Sequence, residues 1–380
     1  MQIPGTALVA GAGIGGLAAA ISLRRRGWNV RVYERAQGPN DLGFALALAA
    51  NAMNALDELG AAVAIRSAGF VPRRGELCGA GGRVLKRIEA QMAGPLVIAL
   101  RRDVHNTLRE LSEASVHQGD VTGVKQDGDR VSIALSDGRS DSGDLLVGAD
   151  GVGSVVRRHL HPEEPPPRAS GFAAVRGVTF GARGALGDCD GIGYFGDGVE
   201  AAAVRAGRDA IYWYLSLLTD DLGDGPRDVN AIVSSHKSGF DARFQQVVEA
   251  TSVDQMRFDE LFVRSPLRSW GRGRITLLGD AAHPVLPHTG QGAAQALEDA
   301  VALGLVLAPG APVEPALRRY ESVRADRTKK LIAMGPRIAR VTTTRSRVMQ
   351  TVRSLALRLV PAAFIGAAPG RHKDPHGALR

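Results

Sequence analysis

The chain has 380 residues, of which 44% are hydrophobic and 23% charged, a balance that suits one large or two ordinary globular domains and excludes a disordered or collagen-like chain. Its net charge of +8 is carried by residues 336–380, so the charge does not indicate a nucleic-acid-binding body. Cys78 and Cys189 form no metal or disulfide pattern. The first residues lack the basic region of a signal peptide, and no apolar run is long enough to span a membrane, so the sequence predicts a cytoplasmic protein.

A short apolar run, Thr6–Ala10, leads into a glycine-rich turn and then into a stretch with helical periodicity that ends near Gly27. A second apolar strand, Asn29–Tyr33, follows and ends at an acidic residue. This order of strand, glycine turn, helix, strand and acid is typical of the unit that binds the adenosine half of a dinucleotide. NAD and FAD are equally compatible with it. We expect the cofactor contacts to come from Gly11, Gly13, Ile14, Gly15, Gly16, Glu34 and Arg35.

The glycines of such a unit have separate tasks. Gly11 allows the tight turn, Gly13 lets the backbone approach the pyrophosphate, and Gly16 lets the helix pack closely on the strand. The N-terminus of the helix stabilises the phosphate charge. Glu34 is predicted to accept hydrogen bonds from the ribose hydroxyls, and its charge disfavours a phosphate on that ribose.

Two later segments narrow the choice of cofactor. Asp144–Arg157 is a buried strand that breaks at Asp150-Gly151 before a helix. In Arg274–Asp299 a strand ends at Gly279-Asp280, and the turn Gly290-Gln291-Gly292 opens a long helix. Together with the first glycine turn, these segments resemble those of the single-component FAD-dependent aromatic hydroxylases, the group A flavoprotein monooxygenases with the para-hydroxybenzoate hydroxylase fold. The resemblance covers about residues 5–330.

The resemblance implies an α/β fold with a Rossmann-like FAD-binding domain, in which the GxGxxG turn lies in a βαβ unit. It further implies an inserted, mostly antiparallel β-sheet substrate domain and a C-terminal helical segment. The expected FAD-binding domain is discontinuous and comprises residues 1–70, 101–165 and 266–335. Residues 71–100 and 166–265 are expected to form the substrate domain, and residues 336–380 a basic helical tail.

The resemblance also implies further FAD contacts. Asp280 follows a strand, where its carboxylate can accept a hydrogen bond from a ribityl hydroxyl. The backbone amides of the Gly290-Gln291-Gly292 turn, at the N-terminus of the long helix, can stabilise negative charge on reduced flavin. His283, Ser154 and Arg157 are interpreted as structural supports. One departure is Ala50-Asn51, where similar proteins often have Pro-Asn, so this loop is a loose match. The implied contacts are Arg101 (with Arg102 as its alternative), Asp150, Gly151, Gly279, Asp280, Pro287, Gly290, Gln291 and Gly292.

Aromatic residues concentrate between Phe172 and Phe262, in segments broken by turns, which indicates an antiparallel sheet. Along Ala210–Leu218, alternation places Tyr212 and Tyr214 on one face and Trp213 on the other. The candidates for catalysis or for the substrate pocket are His288, Tyr212 and Tyr214. Further candidates are Tyr194, Trp213, Arg176 and Arg205, for which ordinary strand or surface positions are the alternative.

The basic tail allows two interpretations. It is either a basic amphipathic helix that touches an anionic membrane surface, or a helix that packs its apolar side on the protein and exposes its arginines. We favour the second. His372 and His376 near the end of the chain are not expected to bind a metal.

The sequence therefore predicts an FAD-dependent monooxygenase that consumes NADH or NADPH and hydroxylates an aromatic or heteroaromatic small molecule with O₂. The implied oxygenating species is a flavin C4a-hydroperoxide, protected in a dry pocket. Alternatives are an epoxidase or other natural-product tailoring oxygenase, a flavin-dependent reductase of the same fold, and a flavin-binding carrier without turnover. A monomer or homodimer without a nucleic-acid partner, a metal or a membrane span is expected.

Overall fold

A computed structural model describes residues 5–36, 44–89, 96–223, 225 and 227–360. His372, His376 and the last part of the basic tail lie outside these residues. In chain order the strands are β1 Thr6–Ala10, β2 Asn29–Glu34, β3 Ala45–Ala49, β4 Arg74–Gly79, β5 Val84–Glu89, β6 Leu96–Leu100, β7 Ser115–Gln118, β8 Val121–Asp127, β9 Arg130–Leu135, β10 Ser140–Gly143, β11 Leu145–Gly148, β12 Arg168–Phe180, β13 Gly191–Phe195, β14 Val199–Ala206, β15 Ala210–Leu218, β16 Met256–Val263 and β17 Ile275–Leu277. The α-helices are α1 Ile14–Arg24, α2 Ala50–Glu58, α3 Ala62–Ala68, α4 Arg101–Ser112, α5 Val155–Leu160, α6 Val229–Lys237, α7 Ala242–Glu249, α8 Gly292–Val306, α9 Val313–Thr342 and α10 Arg347–Leu359.

A five-stranded parallel sheet carries the predicted dinucleotide unit, in the order β17-β11-β1-β2-β7. Its central strands are almost wholly buried because helices cover them, as continuous apolar runs such as that of β1 predict. Helix α1 follows β1 directly and packs against α8. The turns of the three sequence motifs therefore follow three neighbouring strands of this sheet, β1, β11 and β17. Ligands of such sheets bind outside the carboxyl ends of the strands.

A second sheet has seven strands in the order β16-β12-β15-β14-β13-β4-β5. All its pairs are antiparallel except β13 with β4. Both the parallel sheet and this mostly antiparallel one confirm the predicted fold class. The boundaries of the two domains remain a prediction.

The two faces of the seven-stranded sheet have different neighbours. Trp213 packs with Phe244 of α7 in an apolar cluster on one face. Tyr212 and Tyr214 lie on the other, as their alternation predicts. On that second face Phe172 and Ala174 of β12 pack with Leu286 and with Ala339 of α9. The second face is therefore turned towards the segment that precedes α8.

The C-terminal helices differ from the expectation for the tail. Arg353 of α10 is buried, whereas Val348, Val352, Leu355 and Leu359 of the same helix are exposed. The favoured interpretation is wrong in placing the apolar side of this helix on the protein, although Arg347 and Arg358 are exposed as expected. Its polar side finds hydrogen-bond partners on the protein, and this orients the apolar side outwards. Among the described residues, none of the helices combines the length and hydropathy needed to cross a bilayer.

Candidate functional site

The turn after β1 has the backbone that its glycines predict. Gly11 has a φ of +100°, a conformation that favours glycine, and a Cβ there would overlap the carbonyl oxygen of Ala149. A Cβ at Gly16 would overlap the Gly11 carbonyl oxygen, so α1 can approach this turn only because residue 16 has no side chain. By contrast, a Cβ at Gly13 would meet no atom of the described residues within 4 Å. Gly13 therefore borders open space, on the side from which a ligand can approach.

The first turn of α1 has the features of an anion-binding site. Gly13 is its N-cap and provides no side-chain hydrogen bond, and the first turn contains no acidic residue. The backbone N–H groups there, at Ile14 and Gly15, thus retain the partial positive charge of a helix N-terminus. Glu34 at the end of β2 accepts a hydrogen bond from the Ala12 N–H at 2.8 Å, which holds the turn against β2. Arg35 is exposed beside it.

The turn after β11 presents a second open glycine. Gly151 has a φ of +78° and a Cβ there would have no neighbour within 4 Å. One oxygen of Asp150 accepts the backbone N–H of Val155 at 2.7 Å, whereas the other is buried without a partner among the described residues. Burial raises the pKa of this carboxyl. Asp150 therefore retains a buried hydrogen-bonding atom for a ligand.

Ser154 and Arg157 behave as local supports. The Ser154 hydroxyl accepts the Arg157 N–H and caps α5. The guanidinium of Arg157 is fully buried, pairs with Glu164 at 2.5 Å, and donates to the carbonyl oxygens of Ala281 and Ala282 at 3.0 Å. Arg157 thus fixes the backbone next to Asp280.

Asp280 lies in a short 3₁₀ turn, Gly279–Ala281, after β17. Its side chain is exposed, and it has no hydrogen bond to a described residue, yet the surrounding protein raises its pKa through desolvation. A carboxyl group that is accessible to solvent and also surrounded by protein lies in a cleft. Gly279 precedes it with a φ of +62° and donates its N–H to Asp299 at 3.0 Å.

Arg101 and Arg102 begin α4 but differ in their surroundings. The pKa of the Arg101 guanidinium is lowered by desolvation, with an opposing contribution from Asp280, and the group has no hydrogen bond within the described part of the chain. Arg102 lies 3.7 Å from Asp103 and stacks over the ring of Phe180. Arg101 is therefore the one that shares the cleft with Asp280.

The turn before α8 combines an open glycine with a buried glutamine. Pro287 and Gly290 are exposed, and Gly290 has a φ of +63° with no atom near a Cβ position. Gln291 is buried and accepts a hydrogen bond from the amide of Asn51 at 3.0 Å, and Gly292 starts the helix. Asn51 also donates to Glu298 at 2.6 Å. The departure Ala50-Asn51 is thus accommodated, because Asn51 still ties α2 to this turn.

A buried ionic network joins α8 to α9 and to His283. His283 is 1% exposed and its Nε2 lies 2.5 Å from Asp299. Arg324 of α9 pairs with Glu298 at 2.6 Å and with Asp299 at 2.7 Å. The neighbouring His283 and Arg324 lower the pKa of Asp299 to about 2 against the effect of its burial. His283 is therefore a structural hydrogen-bonding residue, as interpreted from the sequence.

The second face of the seven-stranded sheet carries a polar cluster opposite this turn. The Tyr214 hydroxyl donates to Glu200 at 2.8 Å, and Nε2 of His288 lies 2.7 Å from the hydroxyl of Ser216. Nδ1 of His288 and Oε2 of Glu200 are buried without described partners. Burial lowers the pKa of His288 and raises the pKa values of Tyr212 and Tyr214.

The remaining candidates separate by position. Arg176 is the cross-strand neighbour of Tyr214, and its guanidinium lies over the ring of Phe44 and 3.9 Å from Asp259. Arg205 instead pairs with Asp190 at 3.4 Å, and its guanidinium stacks over Phe70. Tyr194 and Trp213 are wholly buried on the opposite face and cannot reach the cleft.

Sequence reasoning missed Ser216 and Glu200. Neither stands in a motif, and both reach the cluster through strand register. Glu200 pairs directly with Ser216 across β14 and β15.

Comparison with known proteins identifies the family of this chain. The profile of the family described as FAD binding domain matches residues 5–334, most of the chain. The chain belongs to the FAD binding domain family. Aurachin C monooxygenase/isomerase of Stigmatella aurantiaca is 32% identical over 97% of both chains. The 3-hydroxybenzoate 6-hydroxylase of Klebsiella oxytoca is also 32% identical and covers 88% of both. Klebsiella pneumoniae HpxO, solved with FAD and uric acid, superimposes with a TM-score of 0.87 at 25% identity, over 95% of this chain and 94% of the other.

As a member of the FAD binding domain family the chain is an FAD-dependent monooxygenase, and its residues fit the cofactor. The open sides of Gly13 and Gly151, the uncapped first turn of α1, and the partnerless oxygen of Asp150 are the features that a dinucleotide requires. The Asp280 carboxyl group has no hydrogen bond to a described residue and lies close enough to Arg101 for their charges to interact. Among the described residues no group of His, Cys, Asp and Glu is arranged to bind a metal ion.

Proposed function

We propose that this protein hydroxylates an aromatic or heteroaromatic small molecule, using FAD, O₂ and electrons from NADH or NADPH. The observation that carries the proposal is the 2.7 Å hydrogen bond between His288 and Ser216. His288 belongs to the turn before α8 and Ser216 to β15, so this bond joins the proposed flavin turn to the sheet face that carries Tyr212 and Tyr214. The reactive end of the cofactor and the substrate would meet between them.

The proposed FAD contacts are those predicted from the motifs. The pyrophosphate would lie at the first turn of α1 beside Gly13 and Gly15, with Glu34 on the ribose. Asp280 would accept a ribityl hydroxyl, and the amides around Gly290 and Gly292 would face the flavin ring. FAD would supply the activation of O₂, one atom of which is transferred to the substrate. Arg35, Asp150, Gly151, Pro287 and Gln291 complete the set.

His288 is the best candidate for a base that takes the proton of a substrate hydroxyl. Burial lowers its pKa below 6.5, so its imidazole is neutral at pH 7 and has a lone pair on one ring nitrogen. Ser216 engages Nε2, which leaves Nδ1 for the substrate. If Nε2 donates to Ser216, Nδ1 accepts the substrate proton, and removing that proton makes the aromatic ring richer in electrons and more reactive towards an electrophilic oxygen.

The two tyrosines have different proposed tasks. Both have raised pKa values, so both keep their protons and act as hydrogen-bond donors. The Tyr214 hydroxyl is already committed to Glu200, which makes Tyr214 a positioning residue. Tyr212 makes no such bond to a described residue, and its hydroxyl is available to donate to the substrate. Arg176, on the same face, supplies positive charge for a substrate with an acidic group.

The test is an assay of NADH and NADPH oxidation by the FAD-loaded protein under air, against phenols, hydroxybenzoates, hydroxypyridines and indoles. Substrate-stimulated oxidation with a product heavier by one oxygen atom is the expected result. His288→Gln should reduce kcat for phenols more than for substrates without an ionisable hydroxyl. Arg102→Gln, outside the cleft, is the control. Bound FAD with no stimulation by any substrate would contradict the proposed chemistry.

A second candidate is oxygenation followed by rearrangement, as in an epoxidase or a natural-product tailoring oxygenase. One relative is named a monooxygenase and isomerase, which favours this possibility over the reductase of the same fold. It predicts that the product keeps the added oxygen but is not a phenol. We also propose, from the sequence, a cytoplasmic location and a monomer or homodimer.

A further inference from the structure

Helix α10 exposes a continuous apolar stripe. Val348, Val352, Leu355 and Leu359 are 71%, 53%, 54% and 73% exposed, and their spacing of three and four residues places them on one side of the helix. Isolated exposed apolar residues are common, but four in one row form a patch of the kind that marks an interaction surface. We call these four residues the α10 stripe.

The helix is fixed to the protein by its opposite side. Arg353 is buried, and its guanidinium donates to the carbonyl oxygens of Val341 and Thr342 at 3.1 and 2.6 Å. It also stacks over the ring of Phe195, with 5.1 Å to the centroid. Gln350, on the same side, donates to Asp197 at 2.9 Å. These contacts hold the α10 stripe outwards, so its exposure is set by the fold.

The chain segment that contains the α10 stripe carries charge of one sign. No aspartate or glutamate occurs between Asp326 and Asp374, whereas the arginines of this region include Arg337, Arg340, Arg347 and Arg358. Arg347 and Arg358 are three helical turns apart and therefore lie on the same flank of the stripe. Long basic side chains beside an apolar row can keep their charge in the headgroup region while their stems lie along apolar groups.

We propose that α10 is an interfacial helix that docks the protein on an anionic membrane surface, with the α10 stripe in the acyl boundary and Arg347 and Arg358 among the headgroups. A second copy of the chain is a poorer partner, because two-fold pairing would bring the basic, acid-free helix α10 against itself. Anionic lipids complement both its charge and its apolar row. The docking is independent of the oxygenation chemistry, and it needs no membrane-spanning segment.

The test is flotation of the FAD-loaded, full-length protein with vesicles of phosphatidylcholine mixed with phosphatidylglycerol, and with vesicles of phosphatidylcholine alone. The protein should float with the anionic vesicles, and added salt should weaken this binding. The double variant Leu355→Gln/Leu359→Gln should bind at least about tenfold more weakly, because two apolar side chains no longer enter the bilayer. Arg347→Gln/Arg358→Gln should also bind more weakly, with a smaller salt effect. Val63→Gln, at an exposed valine of α3, is the matched control and should bind as the wild type does.

Four results would overturn the proposal. The wild type could remain unbound, it could bind both vesicle types equally, or Val63→Gln could lose as much binding as the leucine variant. A wild-type dimer that Leu355→Gln/Leu359→Gln dissociates in size-exclusion chromatography would identify a second copy as the occupant and would also overturn it. The visible absorbance of bound flavin, measured for each variant, separates a loss of docking from a loss of folding.

Discussion

Two glycines of the first turn should respond oppositely to the same substitution. A Cβ at Gly16 would overlap the Gly11 carbonyl oxygen and lie 3.0 Å from its carbon, so in Gly16→Ala helix α1 must move away from the strand. Overpacking of this kind costs about 1–3 kcal/mol, against which the better helix propensity of alanine returns up to about 1 kcal/mol. Because the Cβ would overlap a backbone oxygen, the cost falls at the upper end of this range, and we expect Gly16→Ala to lose about 2 kcal/mol of unfolding free energy in the flavin-free protein.

Gly13→Ala should instead leave the fold intact and weaken the binding of FAD. Gly13 has φ −71° and ψ −176°, which alanine adopts freely, and its Cβ would have no neighbour within 4 Å. The unfolding free energy should change by less than about 1 kcal/mol, because the poorer capping by alanine opposes the gain from restricting the unfolded chain. The new methyl group would occupy the space proposed for the pyrophosphate, so FAD affinity should fall about tenfold or more, which equals about 1.4 kcal/mol.

Urea unfolding and titration of the apoprotein by flavin fluorescence measure the two effects separately. Unchanged FAD affinity in Gly13→Ala would refute the position assigned to the pyrophosphate. Equal losses of stability in the two variants would refute the reasoning from space around each glycine.

Three further predictions concern the cleft and its supports. Asp280→Asn, which removes an accessible carboxylate, should weaken FAD about tenfold or more in the same titration. Arg324→Met removes the buried guanidinium that pairs with both Glu298 and Asp299, and should cost about 3–5 kcal/mol in urea unfolding. Because burial lowers the pKa of His288, its neutral form persists below pH 6.5, and kcat for a phenol should decline only at more acidic pH. His288→Gln should remove this acidic decline.

Each of these has an outcome that contradicts it. Full FAD affinity in Asp280→Asn would show that the carboxylate does not contact the cofactor. For Arg324→Met, the exposed Arg272→Met is the control, and equal stability of the two variants would contradict the ionic network. An acidic decline that is unchanged in His288→Gln would assign that titration to another group.

Local patterns were sufficient for the dinucleotide unit. Strand β1 has the predicted bounds, and the predicted tasks of Gly11 and Gly16 correspond to a positive φ and a close approach of backbone. The alternation of Tyr212, Trp213 and Tyr214 also gave their faces correctly. In each case the deciding forces act between residues that are near in sequence, such as strand pleat or the geometry of one turn.

Contacts between segments that are distant in the chain could not be predicted from local sequence patterns. Glu200 and Ser216 join the site through the register of β14 with β15, and Asn51 reaches Glu298 of α8 across most of the chain. The orientation of α10 was predicted wrongly for a related reason. Its amphipathic pattern shows two sides, but only the carbonyl oxygens that Arg353 meets on the folded protein determine which side is buried.

The central claim is that this cleft inserts one atom of O₂ into an organic substrate. The most direct measurement is the product mass from the FAD-loaded protein, NADH or NADPH and an accepted substrate under heavy-isotope dioxygen. We expect a product that carries one heavy oxygen atom, formed in step with cofactor oxidation. A product that is reduced or rearranged without heavy oxygen, or that takes its oxygen from water, would contradict it.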